Sequence, residues 1–111
     1  MLFVRDFIPT VLALALSMTG AEAAIAIGTA VGYNVMWVEG TDPCRWTRIN
    51  DVGQNPCNVL SVPLSGNGFR YSLQGCGGPL WLNNQDGSFN SKCRAASANL
   101  ACKVHRDYIC S

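Results

Sequence analysis

Residues 66–94 read GNGFRYSLQGCGGPLWLNNQDGSFNSKCR, and this stretch decides the fold. Phe69, Tyr71 and Leu73 alternate with Arg70, Ser72 and Gln74, the period of two that marks a strand with one buried face. Gly75-Cys76-Gly77-Gly78-Pro79 cannot continue it, because glycine brings permissive φ and proline donates no ladder hydrogen bond. A second strand is therefore expected at Leu80-Trp81-Leu82. Asp86-Gly87, a pair that tolerates the positive φ of primed hairpin turns, leads into a third strand at Phe89-Cys93. The outcome is an antiparallel meander with Cys76 at one bend and Cys93 on its last strand.

Upstream, Thr29, Val31, Tyr33, Val35 and Trp37 share one parity while Ala30, Gly32, Asn34 and Met36 share the other, so both faces are partly apolar. A strand over about Gly32 to Val38 is expected to be central or covered, and the chain before it to fray. Arg45 to Ile49 reads as a short strand, Asn50 to Pro56 as loop, and Val59 to Val62 as a strand stopped by Pro63. Downstream, Ala95 to Ala101 has helix-forming composition but is short, so one or two helical turns are expected near residues 94–101, held by Cys93 and Cys102. Lys103 to Cys110 is expected to be a last strand stapled to the body. These readings give a small all-β or mostly-β domain, a meander or sandwich.

All six cysteines, Cys44, Cys57, Cys76, Cys93, Cys102 and Cys110, lie after residue 23. Residues 1–23 read as a signal peptide: a weakly basic start, an apolar run from Pro9 to Met18, and Ala21 and Ala23 at the positions a signal peptidase recognises. Glu22 interrupts the run well short of the ~20 residues that span a bilayer, so no stable membrane anchor is expected. Cleavage after Ala23 leaves one domain, residues 24–111. An even cysteine count behind a leader, in a chain too short for a large core, is the pattern of a three-disulfide framework formed in an oxidising compartment. The 12, 18, 16, 8 and 7 residues between successive cysteines lack the close pairs of a zinc site. No metal and no cofactor are expected, and all six thiols should pair within one chain, leaving a monomer.

Without Arg5, Asp6 and Glu22, seven basic and five acidic side chains remain. A net charge near +2, spread along the chain with no basic run, does not point to nucleic acid.

Two constellations carry chemistry. Trp81, with Tyr71 one strand back and Asn83, Asn84 and Gln85 just after it, has the composition of a sugar site, in which a flat ring covers the apolar face of a pyranose and planar amides bond its hydroxyls. A tryptophan between two leucines in a small domain is nevertheless expected in the core. Glu39, His105 and Arg106 or Arg70 hold the residue types of a small ribonuclease's acid, base and phosphate site, but no local motif joins them. Ser65, Ser72, Ser88, Ser91 and Ser97 lack the G-x-S-x-G context of a serine hydrolase. Gly77-Gly78 is read as a turn beside a disulfide ahead of a close approach to a ligand.

A cleavable leader, an 88-residue remainder, six cysteines and strand-and-turn composition resemble the small cysteine-rich secreted proteins of filamentous fungi, a group that includes candidate effectors and killer-toxin-like and antifungal proteins. The resemblance is one of architecture over the whole chain, and the cysteine spacing departs from the eight-cysteine hydrophobin pattern. It implies a secreted, extracellular, non-enzymatic protein of effector-like or toxin-like type that binds a host or competitor component, an extracellular protein or glycan. The alternative is a small carbohydrate-binding module using Trp81, and the third reading is a secreted ribonuclease or other hydrolase.

Overall fold

The computed structural model describes residues 23–111, so the signal peptide expected over residues 1–23 lies, apart from Ala23, outside the described residues. The strands are β1 (Ile25–Ala30), β2 (Tyr33–Val38), β3 (Thr47–Asp51), β4 (Tyr71–Gln74), β5 (Trp81–Asn84), β6 (Phe89–Asn99) and β7 (Val104–Cys110). They form one antiparallel sheet in the order β3-β2-β1-β7-β6-β5-β4. The sheet curls: Ile49 from one edge and Tyr71 and Leu73 from the other share a core with Ile25, Ile27, Met36, Val38, Leu64 and Leu82. Among the described residues no helix is long and apolar enough to cross a membrane.

The expected meander is present as β4, β5 and β6. Its first strand starts at Tyr71, so Tyr71 and Leu73 are buried while Phe69, two residues earlier and outside the ladder, is 46 % exposed. The residues from Val59 to Val62 are not a strand. They follow the free edge of β4 through irregular bonds, Asn58 N–H to the Leu73 carbonyl at 2.8 Å and Ser61 N–H to that of Tyr71 at 2.9 Å, with the Ser61 hydroxyl accepting from Tyr71 N–H. That edge is therefore covered rather than left open to pair with another chain.

Two further expectations are corrected. Ala95 to Leu100 is not helical, and Ala101 only opens the single 3-10 turn Ala101–Lys103: Ala95 to Asn99 belong to β6, because β7 lies alongside and satisfies their backbone, and tertiary pairing outweighs a weak alanine propensity. The chain before Gly32 does not fray. β1 is a central strand between β2 and β7, with Ile25 and Ala26 fully buried. Its even-numbered residues are small because their side of the sheet lies under aromatic rings: Ala26 pairs with Trp37 and Ala30 with Tyr33, in a second core with Val35 and Val104 against which Trp46 and Leu100 pack.

The six cysteines form three bridges, Cys44–Cys102, Cys57–Cys76 and Cys93–Cys110. Cys93 and Cys110 face each other across β6 and β7. Cys44–Cys102 ties the single turn Pro43–Arg45 to the β6–β7 connection. These bonds replace the expected arrangement in which Cys93 and Cys102 bracket a helix.

The β1–β2 hairpin turns on Val31 and Gly32, with φ of 43° and 90°. A two-residue turn with both φ positive suits asparagine followed by glycine and strains a β-branched residue. Val31 is 62 % exposed, so little packing offsets that strain. Val31→Asn should raise stability by about 1 kcal/mol, a gain of several degrees in melting temperature. An unchanged or lower melting temperature would show that the valine side chain is needed at this turn.

Candidate functional site

Register decides where Trp81 goes. Leu82 pairs with Leu73 and with Ser91 on the inner face, and Leu82 is fully buried. Adjacent strand residues point to opposite faces, so Trp81 stands on the outer face and is 38 % exposed. The core position expected for Trp81 is thus corrected: the inner face has room for one parity of β5, and Leu82 takes it.

On the outer face two cross-strand rows run side by side, Gln74–Trp81–Lys92 and Ser72–Asn83–Phe89. Phe89 and Lys92 are three residues apart and would lie on opposite faces of an unbroken strand. A bulge at Asn90, where Leu82 pairs with Ser91 but Asn83 with Phe89, brings both to the Trp81 side. Phe89 is 58 % exposed. Pro79, Leu80, Trp81, Phe89, Lys92 and Cys93 line a groove of about 250 Å³.

The Trp81 ring is held in place. Its Nε1–H donates to Asn83 Oδ1 at 3.0 Å, and its six-membered half packs against Gly75, where an added Cβ would stand 2.8 Å from Cζ3. Gly75 also has a φ of 85°, a conformation that suits glycine. A ring anchored at its Nε1–H, backed by Gly75 and still 38 % exposed is a preorganised stacking surface.

The five residues proposed for a sugar site divide between the two faces. Trp81 and Asn83 are together on the outer face. Tyr71, Asn84 and Gln85 line a separate cavity of about 530 Å³ with Phe69, Arg70 and Asp86. There Tyr71 is only 1 % exposed. Burial pushes its hydroxyl above the ordinary tyrosine range, partly offset by Asn67 Nδ2–H, which donates to it at 2.9 Å. Asp86 is pulled below the usual carboxylate range by the Ser88 hydroxyl and N–H. Asn84 has its amide committed to Ser88 Oγ and its carbonyl to Asn90 Nδ2, which leaves Gln85 as the free amide of this trio.

The acid and base considered for a hydrolase are not brought together. His105 and Arg106 are consecutive in β7 and point to opposite faces. Arg106 donates to Glu39 Oε2 at 2.9 Å and to the Ala96 carbonyl at 2.8 Å, whereas His105 meets Asn99 Oδ1 at 2.7 Å, Ser97 Oγ at 3.3 Å and Asp107 Oδ1 at 3.3 Å. Arg70 lines the cavity of Tyr71 and Asp86, with its guanidinium reaching the Ser61 carbonyl at 3.5 Å. A third cavity, about 460 Å³, is lined by Gly77, Gly78 and Cys76 on one side and by Ile27, Gly28, Asp107 and Tyr108 on the other, so the glycine pair serves both as the turn beside Cys57–Cys76 and as a cavity wall.

Phe89 and Lys92 are the members of the outer site that the sequence reading missed. Strand parity alone assigns them to different faces, and only the pairing of β5 with β6 reveals the bulge. No protein family, curated protein or solved structure matches this chain.

Proposed function

We propose that this domain is a secreted glycan-binding protein whose binding surface is the outer face of β4, β5 and β6. The observation that carries the reading is the anchored, exposed Trp81 beside Phe89, with the Asn83 and Gln74 amides in the same rows. Large aromatic faces with planar amides at their edges match pyranose rings, which offer an apolar face and a rim of hydroxyls. Three disulfides in so small a domain support work outside the cell. An effector-like or toxin-like role is compatible with this reading, the host or competitor component being a glycan.

A polysaccharide array probed with wild type and Trp81→Ala tests it. Wild type should bind at least one glycan, and Trp81→Ala should bind it at least about tenfold more weakly, since loss of one stacking ring costs of the order of 1.4 kcal/mol. The variant should melt within a few degrees of wild type. Equal binding by the variant, or no glycan bound by wild type, would overturn the proposal.

A further inference from the structure

The polar groups around Trp81 are unevenly matched, and the imbalance selects among glycans. Lys92 is directly opposite Trp81 on β6 and lines the groove. Among the described residues it makes no salt bridge. Its ammonium has three donors and no acceptor. Asn83 accepts from the Trp81 ring through Oδ1, so the part of this side chain left for a ligand is its NH₂ group, again a donor. Among the described residues no carboxylate lines the groove. The cavities of about 460 and 530 Å³ differ, the first lined in part by Asp107 and the second by both Arg70 and Asp86. Arg94, two residues along β6 from Lys92 and of the same parity, does not line the groove; its guanidinium donates to Ser111 Oγ at 3.3 Å. On the far side of Trp81, Gln74 donates to Ser72 Oγ and keeps its carbonyl for a sugar hydroxyl.

A sugar hydroxyl both donates and accepts, so these donors serve neutral and charged sugars alike; what separates the two here is the positive charge of Lys92, which among the described residues no carboxylate pairs. Resting on the glycan-binding reading above, we propose that the ligand is an anionic polysaccharide, with a sugar ring stacked on Trp81 and Phe89 and its carboxylate or sulfate paired with Lys92. Charge complementarity at this face also steers a polyanion toward it, an effect that weakens as salt screens it.

Titration calorimetry with two matched ligands tests the inference: an oligogalacturonate and its fully methyl-esterified form, which has the same ring and length without the charge. Dextran sulfate provides the sulfate arm. Wild type should bind the acid form, or the sulfated chain, about three- to fivefold more tightly than the uncharged ester, the gain expected of one solvent-screened ion pair. Lys92→Gln, a change at an exposed side chain, should remove that preference while preserving the fold. Raising the ionic strength from about 0.05 to about 0.5 M should weaken only the charged ligands. Trp81→Ala must also lower the affinity, since a purely electrostatic attraction to the surface would ignore the ring. Lys92-dependent and Trp81-dependent binding of either the carboxylated or the sulfated chain supports the inference. Equal affinity for acid and ester, a charged-ligand preference that survives Lys92→Gln, or binding of neutral glycans alone would overturn it, and in the last case Trp81→Ala sensitivity would leave the glycan-binding reading standing. Absence of binding to every glycan would overturn both.

Discussion

Truncating Trp37 to alanine should destabilise the protein by about 3–5 kcal/mol, whereas the same truncation at Trp81 should cost no more than about 1 kcal/mol. Both residues are tryptophans in short strands, yet Trp37 is 2 % exposed and packs with Ala26, Ala30, Val35 and Val104, while Trp81 is 38 % exposed. Removing Trp37 empties a volume that its neighbours cannot refill, because β1 presents only small side chains there. Denaturant unfolding of the two variants measures the contrast. For a domain whose whole stability is of the order of 5–10 kcal/mol, Trp37→Ala should remove about half of it. Similar midpoints for the two variants would contradict the assignment of one ring to the core and the other to the surface.

Gly28→Ala should be comparably severe, at least about 3 kcal/mol, for a different reason. An added Cβ at Gly28 would collide with the His105 carbonyl oxygen and stand 2.9 Å from its carbon and 3.0 Å from Arg106 Cα. All of these are backbone atoms of β7, so no rotamer change can relieve the contact. The close approach arises where the β1–β7 register shifts between Ile27 and Gly28, with Asp107 as the extra residue. A loss of roughly 12 °C or more in melting temperature is expected. A variant melting within a few degrees of wild type would mean that the two strands can separate cheaply at this point.

The meander was legible in the sequence because its punctuation is local: the Gly-rich break around Cys76 and the Asp86-Gly87 turn fix three strands without reference to the rest of the chain. The paired cysteines and the last strand were legible for the same kind of reason. What the sequence hid depends on partners remote in the chain. Ala95 to Asn99 have helical propensity and become strand because β7 is available. β1 reads as a small-residue run that ought to fray, and its burial follows from Trp37, Tyr33 and Trp46 lying over it. The candidate site was half legible: Trp81 and Asn83 were singled out together, but the face they share was not, and Phe89 and Lys92 join it only through the bulge at Asn90. Tyr71, Asn84 and Gln85 were drawn toward Trp81 by sequence proximity, and strand alternation and the β5–β6 turn carry them to a different cavity.

The position of β1 also sets the order in which the chain can fold. Ile25 lies opposite Val38 on one side and Cys110 on the other, so β1 finds its second neighbour only when β7 arrives. A chain emerging from its N-terminal end can close the β1–β2–β3 hairpins and later the β4–β5–β6 meander from nearby contacts. Joining the two halves must wait for β7, and pairings of such long sequence separation are slow to form. During that interval β1 presents an apolar edge with unpaired backbone groups, the kind of surface that recruits other chains. The Cys93–Cys110 bond, set within the β6–β7 ladder, then acts as a latch on the last strand to arrive, and chains lacking it should lose yield to aggregation before they lose the structure of the meander.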